Sequence, residues 1–153
     1  MAIDLHDHLA VCELKYRYLR FLDLKRWDDL GALFTDDCVA DYAGGSHHYV
    51  GREAILAFLK EGLPPTRLTV HQCHHPEITF AADGASATGI WSLSDIVIDT
   101  EQSWTIRGSS FYDDTYVRSA DGWRISRTGY ERIYEEFQPR GGDIKLLQQK
   151  AFS

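Results

Sequence analysis

Arg127 stands in the strand-like run W-R-I-S-R, Trp123 to Arg127. Strands alternate faces, so Trp123, Ile125 and Arg127 are expected to point together into whatever core the tryptophan fills. A guanidinium on an apolar face is costly unless a partner or a ligand compensates it. The same alternation aims His71 inward, and Asp95 follows Trp91 and Leu93 on one face of its own strand. Three ionisable groups turned inward predict a pocket with a polar base inside an apolar shell. A one-residue bulge would turn Asp95 outward again.

His71, His74 and His75 form H-x-x-H-H, a spacing that invites a metal ion. On a strand, however, His74 takes the opposite face from His71 and His75, so three nitrogens do not converge and no metal is expected. His71 alone has two readings: a half-buried histidine satisfied by a neighbouring carbonyl, or a functional group. His47 and His48, after two glycines, read as exposed loop residues. Asp23 ends the first helical pattern, where a solvated carboxylate is the ordinary outcome. Tyr18 lies five residues earlier, about 140° round a straight helix, so the two share a cavity only if it wraps the helix end. Tyr42 and Tyr49 flank the glycine loop as packing groups or hydroxyl donors. The chain contains no G-x-G-x-x-G, no P-loop, no G-x-S-x-G, no C-x-x-C and no H-E-x-x-H. Nucleotide cofactors, serine hydrolysis and zinc proteolysis therefore lack their usual sequence support.

The elements that must position these residues change period midway. From Leu9 to Trp27 apolar residues recur at Val11, Leu14, Tyr18, Phe21 and Leu22, a helical spacing. Asp28 is placed to cap a short second helix running to Phe34. Cys38 to Tyr42 reads as a strand, followed by the turn-prone Gly44, Gly45 and Ser46. Gly51 precedes a third helix, Arg52 to Lys60, which Pro64 and Pro65 close off. Beyond Arg67 the period is two. Strands are expected over Leu68 to Cys73, Glu77 to Phe80, Ser86 to about Asp99, Ser103 to Arg118 and Trp123 to Tyr134, with turns at Asp83-Gly84 and Asp121-Gly122. Asp143 to Phe152 is expected to form a short helix. Helices first and antiparallel strands afterwards predict an α+β domain, with the helices on one face of a long, bent sheet and a pocket between them.

Bulk composition narrows the function classes. The chain has 153 residues, 44% of them hydrophobic, enough for one domain whose core tolerates a cavity. Sixteen basic against twenty-three acidic residues give a net charge of −7 without a basic cluster, which argues against nucleic acid as a partner. The N-terminal M-A-I-D-L-H-D-H lacks the pattern of a signal peptide, and no apolar run suits a membrane span. Three scattered cysteines, Cys12, Cys38 and Cys73, fit a reduced, cytoplasmic chain.

Four pieces in order carry a family resemblance: L-K-Y-R-Y-L-R-F-L-D-L-K-R-W-D-D-L-G-A-L-F, G-R-E-A-I, T-V-H-Q and D-G-W-R-I-S-R. Together they resemble the SnoaL-like group of the nuclear-transport-factor-2-like superfamily. The resemblance spans about residues 9 to 134, within a single domain of residues 1–153 whose C-terminal tail is 135–153. It implies a cone-shaped α+β barrel, with N-terminal helices packed on a strongly curved, mostly antiparallel sheet around a pocket. Members include scytalone dehydratase, a bile acid dehydratase, a hexachlorocyclohexane dehydrochlorinase and polyketide cyclases.

The resemblance also implies roles. In eliminating members an Asp on the first helix pairs with a His on a sheet strand, and the His moves the proton. Those positions look like Asp23 and His71, 48 residues apart. Tyr18 is similar to a tyrosine of the bile acid enzyme, where the dehydrochlorinase carries a lysine. Arg127 looks like a last-strand arginine. Tyr42, Asp95 and Trp91 are expected to contact substrate. Gly108, Ser109 and Ser110 stand where scytalone dehydratase has its second histidine, so scytalone is not the expected substrate. The implied activity is a cofactor-independent, dehydratase-type elimination from a cyclic apolar hydroxy-ketone such as a steroid, polyketide or aromatic precursor. A ketosteroid-type isomerase or polyketide cyclase is the first alternative, and a non-catalytic binding or scaffold subunit the second. No cofactor is implied. The expected partners are a small apolar cyclic substrate and further copies of the chain, trimeric by resemblance, without nucleic acid or membrane.

Overall fold

The computed structural model describes residues 5–150. The helices are α1 (Leu5–Asp23), α2 (Trp27–Gly31) and α3 (Arg52–Gly62), the last following the first two strands. The strands are β1 (Phe34–Tyr42), β2 (His47–Val50), β3 (Arg67–Phe80), β4 (Ser86–Asp99), β5 (Trp104–Ser119) and β6 (Gly122–Pro139). They form one mixed six-stranded sheet in the order β2-β1-β6-β5-β4-β3, in which only β1 and β6 run parallel. The edges β2 and β3 do not pair, so the cone stays open. No helix among the described residues is long and apolar enough to cross a membrane.

α1 buries Val11, Leu14, Tyr18 and Leu22 of the expected stripe, leaves Phe21 partly buried, and also buries Cys12, Lys15 and Leu19. It stops at Asp23, the expected end of the first helical pattern. The N–H of Lys25 donates to the Leu22 carbonyl (3.1 Å) and that of Arg26 to the Phe21 carbonyl (2.9 Å), with Lys25 at φ 58°. That is the left-handed cap that ordinarily takes glycine. The consequence is positional: Asp23, the last helical residue, turns its side chain toward β3. α2 ends at Gly31 and not at Phe34, because Phe34 is already paired in β1 opposite Ile125. Gly51, at φ 93°, lets the chain turn from β2 into α3 while its N–H donates to the Cys38 carbonyl (2.8 Å). α3 then buries Ile55, Leu56 and Leu59 against the core.

Two expected strands, Leu68 to Cys73 and Glu77 to Phe80, are one strand, β3, carrying a bulge between His74 and Glu77 where His75 takes φ 49°. His47 and His48 belong to β2, where they remain exposed. Residues 143–150 form no helix, and positions 151 and 152 of the expected C-terminal helix lie outside the described residues. The positions from Glu135 to Pro139, expected in the tail, extend β6 instead.

β6 contains the irregularities that matter for function. Ile125 pairs with Tyr116 and Arg127 with Thr115, so Ser126 is an extra residue in the ladder. A second extra residue, Ile133, sits between the pairs Arg132–Ser110 and Tyr134–Ser109. Each bulge inverts the side-chain alternation beyond it. Trp123 and Ile125 face the core as expected, but after the first bulge Thr128, Tyr130 and Arg132 take the inward positions.

Candidate active site

A cavity of about 200 Å³ lies between α1, α3 and the inner face of the sheet. α1 contributes Tyr18 and Leu22, and α3 contributes Phe58, Leu59 and Gly62. The sheet adds Tyr42, His71, Leu93, Asp95, Val97, Tyr112, Tyr130 and Arg132, one or more residues from each long strand. Its walls are apolar, and its polar groups form three clusters.

The first is His71 with Asp23. Asp23 Oδ1 lies 2.7 Å from His71 Nδ1, and its Oδ2 accepts the His71 backbone N–H at 2.9 Å. The Thr69 hydroxyl donates to Oδ1 as well (2.8 Å), and Lys25 Nζ donates to the same hydroxyl oxygen (3.3 Å). A carboxylate only accepts, so Nδ1 carries the hydrogen and Nε2 of the neutral ring keeps its lone pair. Nε2 has no protein hydrogen bond among the described residues. Burial pushes the Lys25 ammonium down to about 8, against the opposing pull of the Asp23 charge.

The second cluster is phenolic. The hydroxyls of Tyr18 and Tyr42 lie 3.3 Å apart, and the Tyr18 and Tyr112 rings meet edge to face. All three tyrosines are almost fully buried. Burial pushes the Tyr18 phenol up to about 12 and holds those of Tyr42 and Tyr112 well above the ordinary tyrosine range. They are therefore neutral hydrogen-bond donors at any physiological pH.

The third is Arg132 with Asp95. Both terminal guanidinium nitrogens fork the Asp95 carboxylate, Nη2 at 3.0 Å from Oδ2, and Nη1 also donates to the Ser110 hydroxyl (3.1 Å). The guanidinium crosses β5 directly over Gly108, where an added Cβ would collide with Nη1. A side chain at Gly108 would force the Arg132 guanidinium to shift. His71 and Asp95 are register partners on β3 and β4, so the first and third clusters face each other across one ladder.

Of the residues singled out from sequence, the fold brings His71, Tyr18, Tyr42 and Asp95 to this cavity, with Asp23 behind His71. Two do not arrive. Arg127, expected inward beside Trp123 and Ile125, is turned to the outer face by the bulge at Ser126. There it pairs with Asp41 (3.1 Å) and Asp113 (3.8 Å), its side chain 42% exposed, in a separate outer groove of about 600 Å³. Trp91 does face inward, but it is core: fully buried, it donates its indole N–H to Tyr116 (2.9 Å) and does not line the cavity.

Sequence reasoning missed Arg132, Thr69 and Lys25, and also a charged pair beneath the tyrosines. Lys15, fully buried, places Nζ 2.7 Å from Asp114 and 3.5 Å from the centre of the Tyr112 ring. Asp114 also accepts from Thr128 (2.7 Å) and Tyr116 (2.8 Å). Burial lowers the Lys15 ammonium from its ordinary range. The signal existed: Lys15 falls between Val11 and Tyr18 on the helical stripe, and Asp114 alternates with Tyr112 and Tyr116. No group of three or more His, Cys, Asp or Glu among the described residues is arranged to hold a metal ion.

A family model described as a SnoaL-like domain matches residues 4–129. An uncharacterized protein of Mycobacterium tuberculosis is 30% identical over 136 residues, covering 87% of this chain and 90% of the relative. Among solved structures, a protein assigned as a scytalone dehydratase from Novosphingobium aromaticivorans superposes with a TM-score of 0.79 at 22% identity, covering 93% of this chain and 97% of that one. A hexachlorocyclohexane dehydrochlorinase from Novosphingobium barchaimii gives 0.79 at 20% identity, covering 95% and 97%.

Proposed function

The chain belongs to the SnoaL-like domain family, and on that footing we propose that it is a cofactor-independent lyase that removes water from a small cyclic β-hydroxy-ketone bound in the 200 Å³ cavity. The observation that carries the reading is the His71–Asp23 pair, whose carboxylate fixes the imidazole with its unprotonated Nε2 available to substrate.

His71 Nε2 takes the proton from the carbon beside the substrate carbonyl. The electron pair of that C–H bond moves to the carbonyl oxygen, giving an enolate. Tyr18, Tyr42 and Tyr112 supply the neutral donors already aimed into the cavity, and preorganised donors of this kind are worth most where water is excluded. The pair then returns to form the C=C bond and expels the β-hydroxyl, which leaves as water with the proton now on His71. Asp23 holds the tautomer and offsets the charge of the imidazolium formed in between. Arg132, forked onto the Asp95 that partners His71 in the ladder, has one Nη2 hydrogen left for the departing oxygen.

The similarity to proteins named for dehydration and dehydrochlorination supports an elimination. Isomerisation or cyclisation would use the same base and donors and differ only in having no leaving group. Product mass separates them. The protein is incubated with β-hydroxy-cycloalkanones in D₂O, and products are followed by mass spectrometry. Loss of one water is the expected result, with deuterium entering the α-position only of recovered substrate whose enolate has returned to ketone. Turnover without mass loss would replace elimination by isomerisation, and neither turnover nor α-exchange would remove the lyase assignment.

A further inference from the structure

The cavity contains one guanidinium, and its hydrogen-bonding capacity is largely committed. Arg132 is forked onto Asp95 and donates to Ser110, while its Nε lies 3.0 Å from Glu135 Oε2 as an ion pair without hydrogen-bond geometry. Asp23 adds a further carboxylate behind His71. Three carboxylates, Asp95, Asp23 and the half-exposed Glu135, stand against the Arg132 guanidinium and the Lys25 ammonium held at Thr69, so the surroundings of the cavity are net negative. An anion entering here meets net repulsion and no free cation. A cation would meet the right sign, but the Asp95 charge is already paired with Arg132 and Asp23 is tied to His71 and Thr69. Besides the Nε2 of His71 and one Nη2 hydrogen of Arg132, what remains to meet a ligand is a set of neutral dipoles, the hydroxyls of Tyr18, Tyr42 and Tyr112, within walls of leucine, valine and phenylalanine.

Size sets a second limit. A cavity of ~150 Å³ holds one benzene ring, and sites for drug-sized ligands begin near ~300 Å³. At about 200 Å³ this cavity takes one ring with substituents or a compact pair of fused rings. A four-ring skeleton is too large. Resting on the reading of this cavity as the substrate site, we propose that the substrate is an uncharged ketone or alcohol of one or two rings, and that Arg132 is a wall residue neutralised by Asp95 and not an anion receptor.

Binding tests this without turnover. The ring-nitrogen signals of His71, in ¹⁵N-labelled protein, are titrated with four probes: 1-tetralone, tetralin-1-carboxylate, 1-aminotetralin and testosterone. 1-Tetralone is expected to bind, with the carboxylate and the amine each at least ~10-fold weaker and testosterone without effect on His71. Asp95→Asn releases the guanidinium and is expected to reverse the order of ketone and carboxylate. Should that variant fail to fold, Glu135→Gln, at a half-exposed position, is expected to narrow the gap by about threefold. Equal or tighter binding of the carboxylate or the amine, a His71 response to testosterone, no response to 1-tetralone, or a gap unmoved by the folded charge variants would each overturn the proposal. Selective ketone binding by a protein that catalyses no dehydration would leave this inference standing and remove only the reaction.

Discussion

Asp23→Asn is isosteric, and its effect follows from where three hydrogens point. In the native protein Oδ2 accepts the His71 backbone N–H, while Oδ1 accepts from Nδ1 and from the Thr69 hydroxyl. An asparagine has one oxygen and one NH₂ for these two places. With the oxygen at the Oδ1 position, the NH₂ opposes the backbone N–H and strands a donor, at about 1–3 kcal/mol. With the oxygen at the Oδ2 position, the backbone bond survives and the NH₂ faces Nδ1 and Thr69, both of which can accept. The imidazole needs only to move its hydrogen to Nε2, so the second arrangement wins. The lone pair that was to take the substrate proton is then gone. A positioned base contributes roughly 10²–10⁴-fold, so the barrier should rise by about 3–5 kcal/mol. The fold should lose far less. Weakened hydrogen bonds worth about 1–2 kcal/mol shift the melting temperature of a chain this size by several degrees only. Two readouts check this: the ¹⁵N shifts of His71, which distinguish a bare from a protonated Nε2, and the rate of α-proton exchange of a bound cyclic ketone in D₂O. The expected result is an inverted tautomer with exchange reduced at least ~10²-fold. An unchanged tautomer, or exchange within threefold of the native rate, would refute the reasoning.

Lys15→Met should destabilise the fold by about 3–5 kcal/mol in urea unfolding, because Asp114 is left buried with hydroxyl partners alone. Lys15→Met with Asp114→Asn should recover most of that loss, and strict additivity would mean that the two charges do not interact. Arg127→Met should leave the rate unchanged within about twofold and cost at most ~1 kcal/mol, since its ion pairs are on the outer face; a large loss of kcat would return it to the active site. Lys25 titrates near 8 in the folded chain against an ordinary 10.5. The unfolded chain therefore binds more protons between those values, and stability should rise with pH across that window. Lys25→Met should flatten that part of the curve of melting temperature against pH, and an unaltered curve would place the titration elsewhere.

The local patterns carried a good part of this protein. The stripe of Val11, Leu14, Tyr18 and Leu22 announced α1, and unbroken alternation along β4 placed Asp95 inward with Leu93. The pairing of Asp23 with His71 was implied by family resemblance, since neither helical nor strand period links residues so far apart. Only tertiary structure could decide the rest. How the chain closes α1 after Asp23 depended on Lys25 accepting a left-handed backbone, which its residue type does not favour. Which arginine reaches the cavity depended on Ser126, one residue that the sheet leaves unpaired. A strand's period is two, so a single bulge exchanges the faces of everything beyond it, sending Arg127 out and bringing Arg132 in. Composition does not encode that insertion. It arises from fitting β6 against β5 on one side and β1 on the other, a condition that exists only in the assembled sheet.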